Sequence, residues 1–235
     1  MNSQSKKRNI SVPKLISSAR LLVICIFAYI LGCYTIKREL FPYNFYREWK
    51  DSQHQHQIHS SKELFELIKK GGHVIQFRHT HRDRLSIPVI PASVDLNYSC
   101  VNGANLTTLG KEQAKWIKVN IEKHKIPLGE IYSSPACRLR QMNEIIFPDQ
   151  NVSYSELLLY DRILSEEQVS LKRDFVRELL SEPIADSSNR YIMGHQGTYH
   201  PIGYNLPEGH AFVYKPLGNN SFEFLGTIDL VTWLP

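Results

Sequence analysis

From about residue 60 onward, apolar and polar positions alternate between two periods along the chain. Leu64, Leu67 and Ile68 share one helical face behind Ser60 and Glu63, which together make a capping box. Gly71-Gly72 ends that helix and leads into a short apolar strand at 73–77, HVIQF. A polar loop over about 80–106 follows, and Pro88 and Pro91 exclude regular structure from its middle. Thr107 or Thr108 caps the next helix, where Ala114, Ile117 and Ile121 lie on one face until Pro127 and Gly129. A second strand is predicted at 130–133, then a helix at 138–147 stopped by Pro148. Ser165 with Gln168 makes a second capping box, ahead of Val169, Lys172, Phe175, Val176 and Leu179. Strands at 190–194, 211–214 and 222–228 complete the chain. Strands alternating with helices predict an α/β layer fold over 61–235, with no internal repeat.

The first 60 residues read differently. Residues 21–36, LLVICIFAYILGCYTI, are uncharged and mostly apolar. The run is slightly shorter than the ~20 residues of a spanning helix, and Arg20 and Lys37 extend it by snorkelling. Five cations precede the run and only Lys37 and Arg38 follow closely, so the basic tail 1–20 is expected in the cytoplasm and the remainder outside the cytosol. A cleaved signal peptide and a lipoprotein site at Cys33 are the competing readings, ahead of a buried core helix. Residues 37–60 read as a stalk, in which His54, His56 and His59 lack the companions of a metal site.

The formal net charge of +5 arises from this same segment. Six of the 28 basic residues (Lys6, Lys7, Arg8, Lys14, Arg20 and Lys37) lie in 1–37, which holds no acid, so the other 22 nearly balance the 23 acidic residues. A basic nucleic-acid-binding domain is therefore not supported. Of four cysteines, Cys25 and Cys33 belong to the apolar run, and Cys100 and Cys137 to the domain, where pairing and two free thiols are both open. Asn97, Asn105, Asn151 and Asn219 begin glycosylation sequons.

Candidate chemistry gathers where strands end. Phe77-Arg78-His79-Thr80 closes the first strand, Ser133-Ser134-Pro135-Ala136-Cys137-Arg138 the second, and Gly194-His195 the run Tyr191-Ile192-Met193. With Leu106-Thr107-Thr108-Leu109-Gly110-Lys111-Glu112-Gln113-Ala114 and Glu208-Gly209-His210-Ala211, these segments resemble, in order and over about 62–228, the motifs of the histidine phosphatase (phosphoglycerate-mutase-like) superfamily. The resemblance implies a three-layer sandwich whose central, mostly parallel sheet is flanked by helices, here preceded by the N-terminal membrane segment. It further implies a phosphomonoesterase with His79 as the nucleophile that becomes phosphohistidine, and with Arg78, Arg138 and His195 around the phosphoryl group. No cofactor or metal is implied. Arg82 is a candidate extra phosphate contact.

The residue types suit that chemistry. A neutral imidazole attacks phosphorus well, and planar guanidinium donors match the charge spread over phosphoryl oxygens. The chain departs from the family's pattern in having Thr80 where many members have glycine, and Gln196 where some carry the proton donor. Glu166 and Asp83 are the candidate general acids, and Glu166 equally suits a helix N-terminus. The short anchor and small domain resemble periplasmic members acting on phosphorylated sugars of the lipopolysaccharide core. The expected partners are a small-molecule or glycan phosphomonoester and the membrane through 21–36, with no nucleic acid. The alternatives are a phosphate-binding module of this fold without turnover, and a structural surface module.

Overall fold

Why the chain needs two helical layers follows from its sheet, since strands buried on both faces must be covered on both. The computed structural model describes residues 59–83, 100, 104–161, 164–184, 187–196 and 206–234. The apolar run 21–36, the stalk up to residue 58, most of the 80–106 loop with Pro88, Pro91 and Asn97, and Arg162-Ile163 lie outside them. Among the described residues no helix is long and apolar enough to cross a membrane.

The elements are α1 (Ser61–Ile68), β1 (Val74–Arg78), α2 (Thr108–Lys123), β2 (Leu128–Ser133), α3 (Cys137–Ile146), β3 (Val152–Tyr154), α4 (Glu166–Ser181), β4 (Asn189–Gly194), β5 (Ala211–Gly218) and β6 (Ser221–Ile228). Among the described residues, 3-10 turns at Glu156–Leu158 and Leu230–Trp233 accompany them. Both capping boxes form: Ser60 pairs with Glu63 ahead of α1, and Ser165 with Gln168 ahead of α4. Thr107, rather than Thr108, caps α2 by accepting from the Gly110 N–H.

The six strands run in the order β3-β2-β4-β1-β5-β6. β3, β2, β4 and β1 are mutually parallel, whereas β5 and β6 are antiparallel to their neighbours. The sheet is thus mostly parallel, as the sequence reading expected, and mixed through β5. Asn219 and Asn220 both adopt positive φ, 50° and 57°, which turns β5 straight back into β6 as a two-residue hairpin. A parallel connection needs a crossover of a dozen residues or more.

Every residue of β4 is buried. On one face, Leu64, Ile68, Ile117, Leu139 and Met142 from α1–α3 pack on Ile75, Phe77, Tyr191 and Met193. On the other, Val176, Leu179 and Leu180 of α4 pack on Val74, Ile192, Phe212 and Tyr214. Alternate residues of β1 and β4 feed the two cores, so both strands read as apolar runs in the sequence. Cys100 and Cys137 form a disulfide with Cα atoms 5.5 Å apart, tying the end of the long loop to the first residue of α3.

Candidate active site

Parallel strands place their C-terminal ends on one edge of a sheet, and that edge is where ligands of open α/β folds bind. Here the register does the assembly. Arg78 of β1 lies beside Gly194 of β4, and Ser133 of β2 beside Met193. The bonds run one residue further: the His79 N–H donates to Gly194 O at 3.2 Å, and the Ser134 N–H to Met193 O at 3.0 Å. His79, His195 and Ser134 consequently sit side by side. α3 starts three residues later and swings Arg138 over them. The structure thus brings together the four residues Arg78, His79, Arg138 and His195.

His79 is 2% exposed, and its Nδ1 lies 2.9 Å from Thr80 O. A carbonyl only accepts, so Nδ1 carries the proton and the Nε2 lone pair remains available. Burial, then the charges of Arg138 and Arg78, hold the His79 pKa well below the usual imidazole range, so the ring is neutral at pH 7. Neutral, with its lone pair on Nε2, is the form a nucleophile toward phosphorus requires.

His195, 5% exposed, is edge-on to His79 with ring centroids 5.6 Å apart. Arg138 Nη2, which can only donate, is 2.7 Å from His195 Nδ1. The proton of His195 is therefore on Nε2, which donates to Ser134 Oγ at 2.8 Å. Burial first, then the Arg138 charge, keeps this ring neutral too.

Arg138 is 6% exposed, and burial followed by the Arg82 charge lowers its pKa to about 10, which still leaves it cationic at neutral pH. Its Nε is buried with no hydrogen-bond acceptor among the described residues. Donors left in this way are satisfied by anions as readily as by protein groups. Arg78 is held by the 206–210 loop, donating to Leu206 O at 2.7 Å and to the Glu208 carboxylate at 3.5 Å. Arg82 is half-buried and donates to Asp83 O at 3.3 Å, and its charge is felt at both His79 and Arg138.

The supporting motifs acquire physical reasons. Thr80, fully buried, donates its hydroxyl to Gly110 O at 2.8 Å, so a threonine after His79 pins the loop to α2. A Cβ at Gly110 would collide with the His81 carbonyl, which is why the first turn of α2 carries glycine there. Gln113 accepts from the His81 N–H at 2.9 Å. Gly209, at φ +78°, donates its N–H to His79 O at 3.1 Å, locking the far side of the same loop.

Glu166 is exposed in the first turn of α4, where it faces the helix N-terminus. Asp83 is half-buried, its N–H donating to Asn105 O at 2.9 Å. A carboxylate that does touch the constellation is Glu208, through Arg78. Sequence reasoning saw Glu208 only as part of a loop motif, because the contact spans 130 residues of chain. Tyr160 was also missed. Its ring is 5.4 Å from that of His195 and its centroid 5.5 Å from the Arg138 guanidinium carbon.

No family model and no curated protein matches the chain. Among solved structures it is similar to the protein histidine phosphatase SixA complexed with tungstate, at 12% identity over 68% of this chain and 98% of that one, with a TM-score of 0.47. It is also similar to the putative phosphohistidine phosphatase SixA from Agrobacterium tumefaciens (16% identity, 67% and 98% covered, TM-score 0.42). A phosphoserine phosphatase from Entamoeba histolytica gives 13% identity, 67% and 97% covered, and a TM-score of 0.44. At these identities and scores the likenesses carry neither activity nor substrate over to this chain. The structures it is similar to are those of histidine phosphatase superfamily members, the group that its motifs resemble.

Proposed function

We propose that the chain is a phosphomonoesterase that works through a phosphohistidine at His79. The observation that carries this reading is the neutral His79, its proton held on Nδ1 by Thr80 O, beside a buried Arg138 and His195. His79 Nε2 attacks phosphorus in line, the N–P bond forms as the ester P–O bond breaks, and the leaving oxygen takes its proton from solvent water. Arg78, Arg138 and His195 hold the phosphoryl oxygens and offset the charge that develops on them. Water then displaces Nε2 and releases orthophosphate. The phosphate pocket accepts a small-molecule or glycan phosphomonoester, phosphorylated surface sugars among them.

The reading places this domain outside the cytosol, on an anchor at 21–36. The charge asymmetry of the N-terminal segment and the Cys100–Cys137 disulfide support that location, since structural disulfides persist in oxidising compartments. A topology reporter fused after Pro235 tests it, and cytosolic signal would contradict it.

The activity is tested with the full chain in detergent on a panel of phosphomonoesters. Turnover that releases orthophosphate is expected. Phosphate or vanadate binding with no turnover on any ester would instead favour a binding module of the same fold.

The acid limb of the pH profile gives a second check. His79 must be neutral to attack, and its pKa lies below the ordinary value of 6.5 through burial, Arg138 and Arg78. Activity is therefore retained below pH 6.5 and lost only as pH falls through the lowered value. The kcat/KM profile, corrected for the second ionisation of the substrate near ~6, should show its acid limb below that of a free imidazole. An acid limb at or above 6.5 would contradict the neutral-nucleophile assignment.

A further inference from the structure

The buried face of α4 carries one residue that its surroundings do not explain. Lys172 shares a face with Val176, Leu179 and Leu180, all packed against the sheet, yet it is a cation and only 1% exposed. Burying an ammonium costs several kcal/mol unless it is paired, and an apolar side chain would cover the same surface without that cost. Its Nζ donates to Leu159 O at 2.6 Å and to Asp161 Oδ1 at 2.7 Å. These two partners flank a single residue, Tyr160. On its other side, Tyr160 lies edge-on to His195 at 79° between ring planes and over the Arg138 guanidinium, while Arg138 itself donates to His195.

We propose that Tyr160, fixed from behind by the Lys172 ammonium, is a positioning residue that holds Arg138 and His195 in their working arrangement. The aromatic ring supplies a flat wall to both. A guanidinium over a ring face and an imidazole edge-on to the ring are each favourable contacts of modest size. Their value here is geometric: displacing a phosphate-binding group by about 1 Å costs on the order of 10²-fold in rate. The wall stays put only while residues 159–161 do. Lys172 provides that by clamping the backbone before Tyr160 and the side chain after it. The inference rests on the phosphatase reading above.

The test compares the full chain with Tyr160→Ala, Tyr160→Phe, Lys172→Met and the Tyr160→Ala/Lys172→Met double variant. The readouts are kcat and KM on an aryl phosphate, and inhibition by vanadate. Tyr160→Ala and Lys172→Met should each lower kcat on the order of 10²-fold, with a smaller change in KM. Tyr160→Phe, which keeps the ring, should recover most of the Tyr160→Ala loss. The double variant should lose no more than either single one, because both act through the same ring.

Unchanged kcat and vanadate inhibition in Tyr160→Ala would overturn the inference, as would losses that add in the double variant. Should Lys172→Met not fold, the contrast between Tyr160→Ala and Tyr160→Phe decides alone. A wild-type chain that binds neither vanadate nor orthophosphate would overturn the phosphatase reading itself. Normal wild-type binding with an unaffected Tyr160→Ala overturns only the role of the ring.

Discussion

Replacing His79 with alanine is expected to lower turnover by at least ~10⁴-fold, the scale on which removing a covalent nucleophile acts. The loss should fall on kcat. Arg78, Arg138 and His195 remain in the variant, so inorganic phosphate and vanadate should still bind. Folding should survive, because the ring is neutral when buried and its loss leaves one carbonyl, Thr80 O, without its donor. That defect costs about 1–3 kcal/mol. Steady-state kinetics together with calorimetric titration of orthophosphate separate the two effects. A variant retaining more than about a hundredth of wild-type kcat would contradict a covalent role for His79.

Arg138 is the next most sensitive position, because two functions meet on one guanidinium. It faces the phosphate site, and it fixes the proton of His195 on Nε2 by donating to Nδ1. Arg138→Met should therefore lower kcat by on the order of 10²–10³-fold, as loss of an oxyanion donor does, and weaken phosphate binding as well. Arg138→Lys should recover little, since a point-charge ammonium offers no planar pair of donors. The sign of the pH effect differs between the two. The Arg138 charge is the second cause, after burial, of the lowered pKa of both His79 and His195. Arg138→Met removes it, so His79 should titrate closer to the ordinary imidazole value and the acid limb should move to higher pH. Arg138→Lys retains the charge and should leave the limb near its original position. An Arg138→Met profile unshifted from wild type would show that the guanidinium does not hold down the His79 pKa.

Most of this site was legible because its residues sit at the ends of apolar runs. Phe77, Tyr132 and Met193 mark strands, and the polar residues just beyond them must fall at a strand edge. The helices were equally readable from Ser60, Thr107 and Ser165, whose caps all form. Strand order was harder. β4 inserts between β1 and β2, and that placement brings His195 between His79 and Ser134. No local signal reports it; only the motif resemblance implied it.

What escaped the sequence depends on long-range packing. The Cys100–Cys137 pairing, the Glu208–Arg78 contact and the Tyr160 wall each join segments far apart in the chain. Lys172 was legible as part of the amphipathic face of α4, but its cation gave no sign of what it clamps. β3, three residues long, is too short to show alternation. The antiparallel β5–β6 hairpin was present as Asn219-Asn220, two residues that tolerate positive φ, between two predicted strands.

The covalent step is the centre of the account, and rapid quenching tests it directly. The full chain mixed with a ³²P-labelled phosphomonoester and denatured within the first turnovers at alkaline pH should carry label that is stable to base and labile to acid. Peptide mapping should place that label on His79. Wild-type protein that turns over without ever carrying label, under conditions that label a known histidine phosphatase, would contradict the phosphohistidine mechanism, as would label on any other residue.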